Sequence, residues 1–321
     1  MKFFETKFED YIQKVEQYNI HEYISPVLNE YSKDINNLEH LIFYGSQGIG
    51  KYSQALYFIK NFSDSELKYE RKITHNFNNK YNYTFKISDI HFEIDMQLLG
   101  CYSKLLFNDL YYHILDVCNT MKKNTVIILC KNFHKIHPEL LDIFYSYMHD
   151  IPHKNINFKY IFLTENISFI PRIILNKCNI VHFEKPSMKS YKKIFKKRKI
   201  NIKLDNVENL KDLKSKIIKP IENKNKQLVF SLYNCIIDYK NIDFIYLRDS
   251  IYNLFIFDYE IQDCLLIILS ELIKENRIDN IKTEKIFTYI SNFLKKFNNN
   301  YRPIFHAEQL IFSIIKTVHD L

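Results

Sequence analysis

The chain has 321 residues, of which 46% are hydrophobic and 26% charged, and a formal net charge of +8. Such a length outgrows one small core and suits two or three domains, and the balance excludes disordered and fibrous classes in favour of a soluble globular protein. The densest apolar run, "CLLIIL" from Cys264, falls short of the ~18 residues of a membrane span, so no membrane role is expected. The acids in the opening "MKFFETKFEDYI" argue against a secretory leader. Positive charge favours an anionic partner such as nucleic acid. Only six of the 45 basic residues are Arg, however, and the excess of Lys, Asn, Ile and Tyr reads as the imprint of an AT-rich genome, such as that of a large DNA virus or a low-GC eukaryote. None of the six cysteines forms a C-x-x-C pair, which argues against a zinc site; they are expected to be reduced, buried thiols of an intracellular protein.

In chain order, "HLIFYG" (40–45) is a short apolar run ending in glycine, the pattern of a buried strand entering a turn. "YSQALYFIKNF" follows with helical spacing. Residues 67–95 are β-rich, with a turn at Asn78 and Asn79. Leu106, Leu110, Ile114, Val117 and Met121 form one face of a helix, and "TVIILC" (125–130) is a second buried strand. "PELLDIFYSYMHD" opens a helix at Pro138, and "KYIFLTEN" (159–166) and "NIVHFEKP" (179–186) are two more strands. Fully apolar strands separated by helices predict a parallel sheet covered on both faces. After Pro186 a basic stretch, "KSYKKIFKKRKINIK" (189–203), leads into five helical segments near 226–240, 243–257, 260–275, 283–297 and 304–319. The implied domains are an α/β domain at 1–186, a small basic helical domain at 187–225 and an all-helical domain at 226–321.

Three of the chain's four glycines, Gly45, Gly48 and Gly50, stand directly before Lys51 in "GSQGIGK". This fits G-x-x-x-x-G-K between a strand and a helix, the context a phosphate-binding loop requires. Glycines let successive backbone N–H groups turn inward on phosphate oxygens, and the helix N-terminus adds partial positive charge. The residues expected to hold ATP or ADP are Gly45, Ser46, Gly48, Ile49, Gly50, Lys51, Tyr52 and Ser53, with Lys51 on the β and γ phosphates. Position 52 normally offers a short hydroxyl to Mg²⁺; a phenol is too long, and Ser53 comes one residue late. The second buried strand should end in acids, one for the metal and one for the attacking water. It ends instead in Cys130, Lys131 and Asn132. The sequence therefore predicts a cradle with neither a Mg²⁺ site nor catalytic residues.

The order of strand, "GSQGIGK", "VIILCKN", "YIFLTEN" and "RIILNKCNIVHFEKPS" resembles the AAA+ clamp-loader subunits, the small subunits of replication factor C. It is most similar to the terminal small subunit of the eukaryotic ring, whose own nucleotide site is weak and which also lacks the hydroxyl directly after the motif lysine. That subunit has a β-rich excursion ending in His-Leu-Glu before a helix, and "IHFEIDMQLLGCYSKLLFNDL" (90–110) is similar; "IFHAEQLIFSII" (304–315) resembles the family's closing collar helix. The resemblance spans about 40–320. It implies an AAA+ fold: a five-stranded parallel sheet, a small helical lid and a C-terminal collar for oligomerisation. It implies a subunit of a hetero-oligomeric ring that loads a sliding clamp onto primer–template DNA during replication, without ATP hydrolysis of its own, in a nucleus or viral factory. Asn166 would be the polar sensor. Lys177, within Asn176-Lys177-Cys178, stands at the family's arginine finger and would face a neighbour's γ-phosphate, though an ammonium lacks the planar fork of guanidinium. The paired arginines of the helix after the second strand are absent from "ELLDIFYSYM".

Two other classes compete. An active P-loop NTPase, such as a helicase loader, would use Asp89, Glu93 or Asp95. A basic DNA-binding protein with a vestigial AAA+ core would use the 189–203 run, whose lysines either track backbone phosphate or form a solvated helix face. His134 and His137 in "FHKIH" lack converging acids and are expected to bind no metal.

Overall fold

A computed structural model describes residues 7–31, 34–77, 81–121, 124–149, 156–187, 190, 224–241, 243–257, 259–297 and 302–321. The chain divides into two units, Met1–Ile218 and Lys219–Leu321. Residues 188–189 and 191–223 of the expected lid (187–225), the basic run apart from Ser190, and the turn at Asn78 and Asn79 lie outside the described residues.

In the first unit, helices α1 (Phe8–Gln17) and α2 (Ile24–Glu30) precede strand β1 (His40–Tyr44) and helix α3 (Lys51–Lys60). Strands β2 (Arg71–Phe77), β3 (Tyr81–Ile87) and β4 (His91–Asp95) come next, then helix α4 (Ser103–Met121), β5 (Thr125–Lys131) and α5 (Pro138–Tyr147). β6 (Asn157–Thr164), the short α6 (Arg172–Leu175) and β7 (Cys178–His182) complete it. The sheet has seven strands in the order β2-β3-β4-β5-β6-β1-β7. From β4 to β7 neighbouring strands are parallel, whereas β2 pairs antiparallel with β3, and β3 with β4.

The five-stranded parallel sheet expected from the sequence is therefore the core of a larger, mixed one. The reason is connection length. Parallel neighbours need a crossover of a dozen or more residues, usually helical. β2 and β3, and β3 and β4, are each separated by only three residues, so they run antiparallel and extend the sheet beyond β4. Their burial differs accordingly: β2 is mostly exposed along its length, while β5 is buried from Thr125 to Cys130.

Alternation along the strands feeds two cores, one on each face of the sheet. Leu41 and Phe43 of β1 pack with Ile12, Ile24, Leu56 and Ile59 of the helices on one side. Ile42 faces the other way, joining Leu110 and Ile114 of α4 and Leu140 and Phe144 of α5. The predicted α4 stripe is buried at Leu106, Leu110 and Ile114 and half-buried at Val117; the Met121 side chain lies outside the described residues. Of the cysteines, four are buried, Cys178 is half-buried, and Cys101 is exposed, against the expectation of burial; all six are free.

The second unit contains the five expected helices: α7 (Lys224–Ile237), α8 (Phe244–Ile256), α9 (Ile261–Lys274), α10 (Asn280–Phe297) and α11 (Pro303–His319). Asp243 caps α8 by accepting from the Ile245 N–H at 3.0 Å. Leu232, Leu247, Leu272 and Ile314 sit in one common core. Arg248 grips the buried Glu308 with two hydrogen bonds, of 2.5 and 3.1 Å, joining α8 to α11.

Candidate nucleotide-binding site

The loop after β1 is shaped by a close backbone approach. A Cβ on Gly45 would lie 2.5 Å from the Phe183 carbonyl oxygen and 2.8 Å from Ile49 Cδ1, so no side chain fits there. Phe183 is held in place by its own N–H, which donates to the Tyr44 carbonyl at 2.7 Å. Gly50 caps α3 with φ 105°, a left-handed conformation that glycine adopts without strain. Its carbonyl accepts from the Gln54 N–H at 3.1 Å, so α3 starts directly beneath the loop.

Lys51 folds back over this loop. Its ammonium donates to the Gly45 carbonyl at 2.5 Å and the Ser46 carbonyl at 2.7 Å. Burial pushes its pKa from 10.5 down to about 8, partly offset by the nearby Glu165 carboxylate. A buried ammonium partnered by neutral carbonyls, at the mouth of a glycine cradle, is a place where phosphate oxygens fit. The residues present thus suit the nucleotide that the motif implies.

Magnesium is a different matter. The Tyr52 ring runs away from the loop and its hydroxyl donates to Glu93 Oε1 at 2.6 Å. Glu93 Oε2 receives Lys131 Nζ at 3.3 Å, and His91 Nε2 lies 3.7 Å from Oε1. Lys131 also stands 5.6 Å from the centre of the Tyr52 ring. Burial alone would raise the Glu93 carboxyl, but His91, Lys131 and Tyr52 together hold it below the usual carboxylate range. Burial, followed by the Glu93 charge, drives the Tyr52 phenol well above its ordinary value, so it stays a donor. A phenol and an ammonium therefore already use the Glu93 carboxylate, and a divalent cation beside it would meet Lys131. These residues do not fit Mg²⁺. Among the described residues no cluster of His, Cys, Asp and Glu suits a metal ion.

The other acids weighed in the sequence are also committed. Asp89 accepts from Ser63 Oγ at 2.8 and 2.9 Å. Asp95 accepts from Asn132 Nδ2 at 2.9 and 3.1 Å, an interaction that ties the end of β4 to the turn after β5. Asn166 is exposed and turns its side chain to its own loop, accepting from the Ser168 N–H and Oγ at 3.1 and 2.9 Å. Ser53 is half-buried on α3 and Ser46 and Gln47 are exposed on the loop. Lys177 lies against α5, 4.9 Å from the Tyr145 ring and 3.3 Å from His149 Nδ1. His134 lies 3.8 Å from Glu165, not in a metal cluster.

Three residues escaped the sequence reading. The segment before 40 carried no motif, yet it braces the loop. His21 Nε2 donates to the Ile49 carbonyl at 2.8 Å, and burial lowers the His21 pKa. Asn19 accepts from Gln54 Nε2 at 2.7 Å, and the Tyr23 hydroxyl accepts from the Glu184 N–H at 2.7 Å. Only the clustering of polar and aromatic residues in "YNIHEY" hinted at this, since each partner lies far along the chain.

No family model and no curated protein matches the chain. Among solved structures it is similar to the Holliday junction branch migration motor RuvB of Thermotoga maritima, at 13% identity, covering 90% of this chain and 80% of that one, with a TM-score of 0.36. Two single-residue variants of that motor are similar at 14% identity and a TM-score of 0.37, covering 90% and 91% of this chain and 80% and 81% of theirs.

Proposed function

We propose that the chain is a nucleotide-holding, non-hydrolysing AAA+ subunit of a clamp loader, a ring that sets a sliding clamp on primer–template DNA at sites of replication. One observation supports the reading: a glycine loop capped by the Lys51 ammonium precedes Tyr52, whose hydroxyl, with Lys131, already takes the Glu93 carboxylate. Phosphate can be held there, but Glu93, the acid beside Tyr52, is already paired and is not free to position a metal or an attacking water. The clamp-loader part rests on the order of motifs in the sequence. Within such a ring the subunit would act by position, its helical unit joining sister subunits and Lys177 facing a neighbour's nucleotide.

The test has two arms. Equilibrium binding of ADP and ATP to the purified chain, read beside phosphate release, should give binding without turnover. Steady turnover that vanishes in Lys51→Ala would overturn the reading in favour of an active NTPase. Affinity capture from the cells that make the protein should recover sister ring subunits. Recovering none, with tight and salt-sensitive DNA binding by the monomer, would favour the DNA-binding alternative.

A further inference from the structure

β1, β4 and β5 are parallel members of one sheet, so Tyr44, Asp95 and Lys131 all end their strands at the same edge as the phosphate loop. Lys131 is the cation at that edge whose charge meets the buried Glu93, at 3.3 Å. Its side chain is 29% exposed, whereas Glu93 is 1% exposed, so the ammonium spans the interval between a buried carboxylate and solvent. An ammonium has three donors, and Glu93 takes one of them. The Tyr52 ring beneath the ammonium stabilises it further, while its hydroxyl keeps Glu93 from turning away.

The arrangement replaces each part of a metal site with a covalently attached one. The room beside residue 52 is filled by the phenol. The carboxylate is neutralised by Lys131. A divalent ion brought to this place would face a fixed positive charge and gain no free acid. A phosphate brought to this strand edge would meet the attraction of two ammonium groups, Lys51 on the loop and Lys131 at the end of β5.

We infer that this chain binds nucleotide phosphates without a divalent cation, with Lys131 as the built-in countercharge that Tyr52 and Glu93 hold in position. The inference rests on the nucleotide reading given above and adds to it a binding mode and a residue.

The experiment is equilibrium binding of ADP to the full chain by titration calorimetry, once with excess EDTA and once with millimolar Mg²⁺. The two dissociation constants should agree within about twofold. Lys131→Met should weaken binding in EDTA about tenfold and Lys131→Arg should restore most of the loss, since Arg keeps the charge. A wild-type affinity that collapses in EDTA would overturn the inference and leave the nucleotide reading standing. So would a Lys131→Met protein that binds ADP like wild type in EDTA. Absence of ADP binding under both conditions would overturn the nucleotide reading and this inference with it. Should Lys131→Met fail to fold, the wild-type comparison and Lys131→Arg still decide, because neither removes the partner of Glu93.

Discussion

Raising the pH from 7 to 9 should weaken ADP binding by about tenfold, because Lys51 loses its proton in the free protein within that interval. Burial has brought its pKa down to about 8. Bound phosphates supply the negative charge that Gly45 and Ser46 carbonyls lack, so the ammonium in the complex holds its proton to higher pH. Binding then takes up a proton above pH 8, and affinity falls by up to a factor of ten per pH unit until the bound-state pKa is reached. Across pH 7 to 9 this amounts to about tenfold, or about 1.4 kcal/mol. Fluorescence anisotropy of a labelled ADP at pH 7, 8 and 9 measures it, with Lys51→Arg as control, since guanidinium stays charged and should flatten the curve. The unliganded protein shows the opposite trend. The unfolded chain, with lysine at 10.5, binds more protons than the folded one between pH 8 and 10.5, so stability rises with pH over that window. The gap between 10.5 and about 8 corresponds to about 3 kcal/mol at full extent. ADP affinity that stays level from pH 7 to 9 in the wild type would refute this picture of Lys51.

Gly45→Ala should lower stability by about 3 kcal/mol in urea denaturation and abolish ADP binding, because its methyl would press on the Phe183 carbonyl in a backbone conformation that resists a side chain. Tyr52→Phe removes one hydrogen bond from the buried Glu93 and should cost about 1–3 kcal/mol in the same assay, without gain of ATP turnover. Leu272→Ala, at a fully buried site of the helical unit, should cost about 2–5 kcal/mol by the cavity it leaves.

Much of the α/β core was legible because β1, β5 and β6 are apolar runs, and buried parallel strands have no reason to alternate; β7, expected as another such strand, is an edge strand buried only at Val181. The glycine loop after β1 stood out because glycine is so scarce elsewhere. The hairpin of β2 and β3 was visible as strand but not as a continuation of the same sheet, since half-exposed alternation specifies a face and no partner. Glu93 was weighed as a catalytic acid, and its true neighbours were hidden. They come from α3 and β5, and only the folded sheet brings Tyr52 and Lys131 to one carboxylate. Glu165 was passed over beside Asn166, though it is the acid that supports the Lys51 charge. The brace from His21 to the Ile49 carbonyl spans 28 positions and leaves no local signature.

The placing of β1 between β6 and β7 has a consequence for how the protein is made. Leu41 to Tyr44 can bond to neighbouring backbone only once Ile161–Thr164 and Asn179–His182 have left the ribosome. At translation speeds of about 5–20 residues per second, this greasy pentapeptide and its glycine loop wait on the order of ten seconds for their partners. During that interval "HLIFY" is an unprotected aggregation hazard, and the nascent domain is a natural client for chaperones.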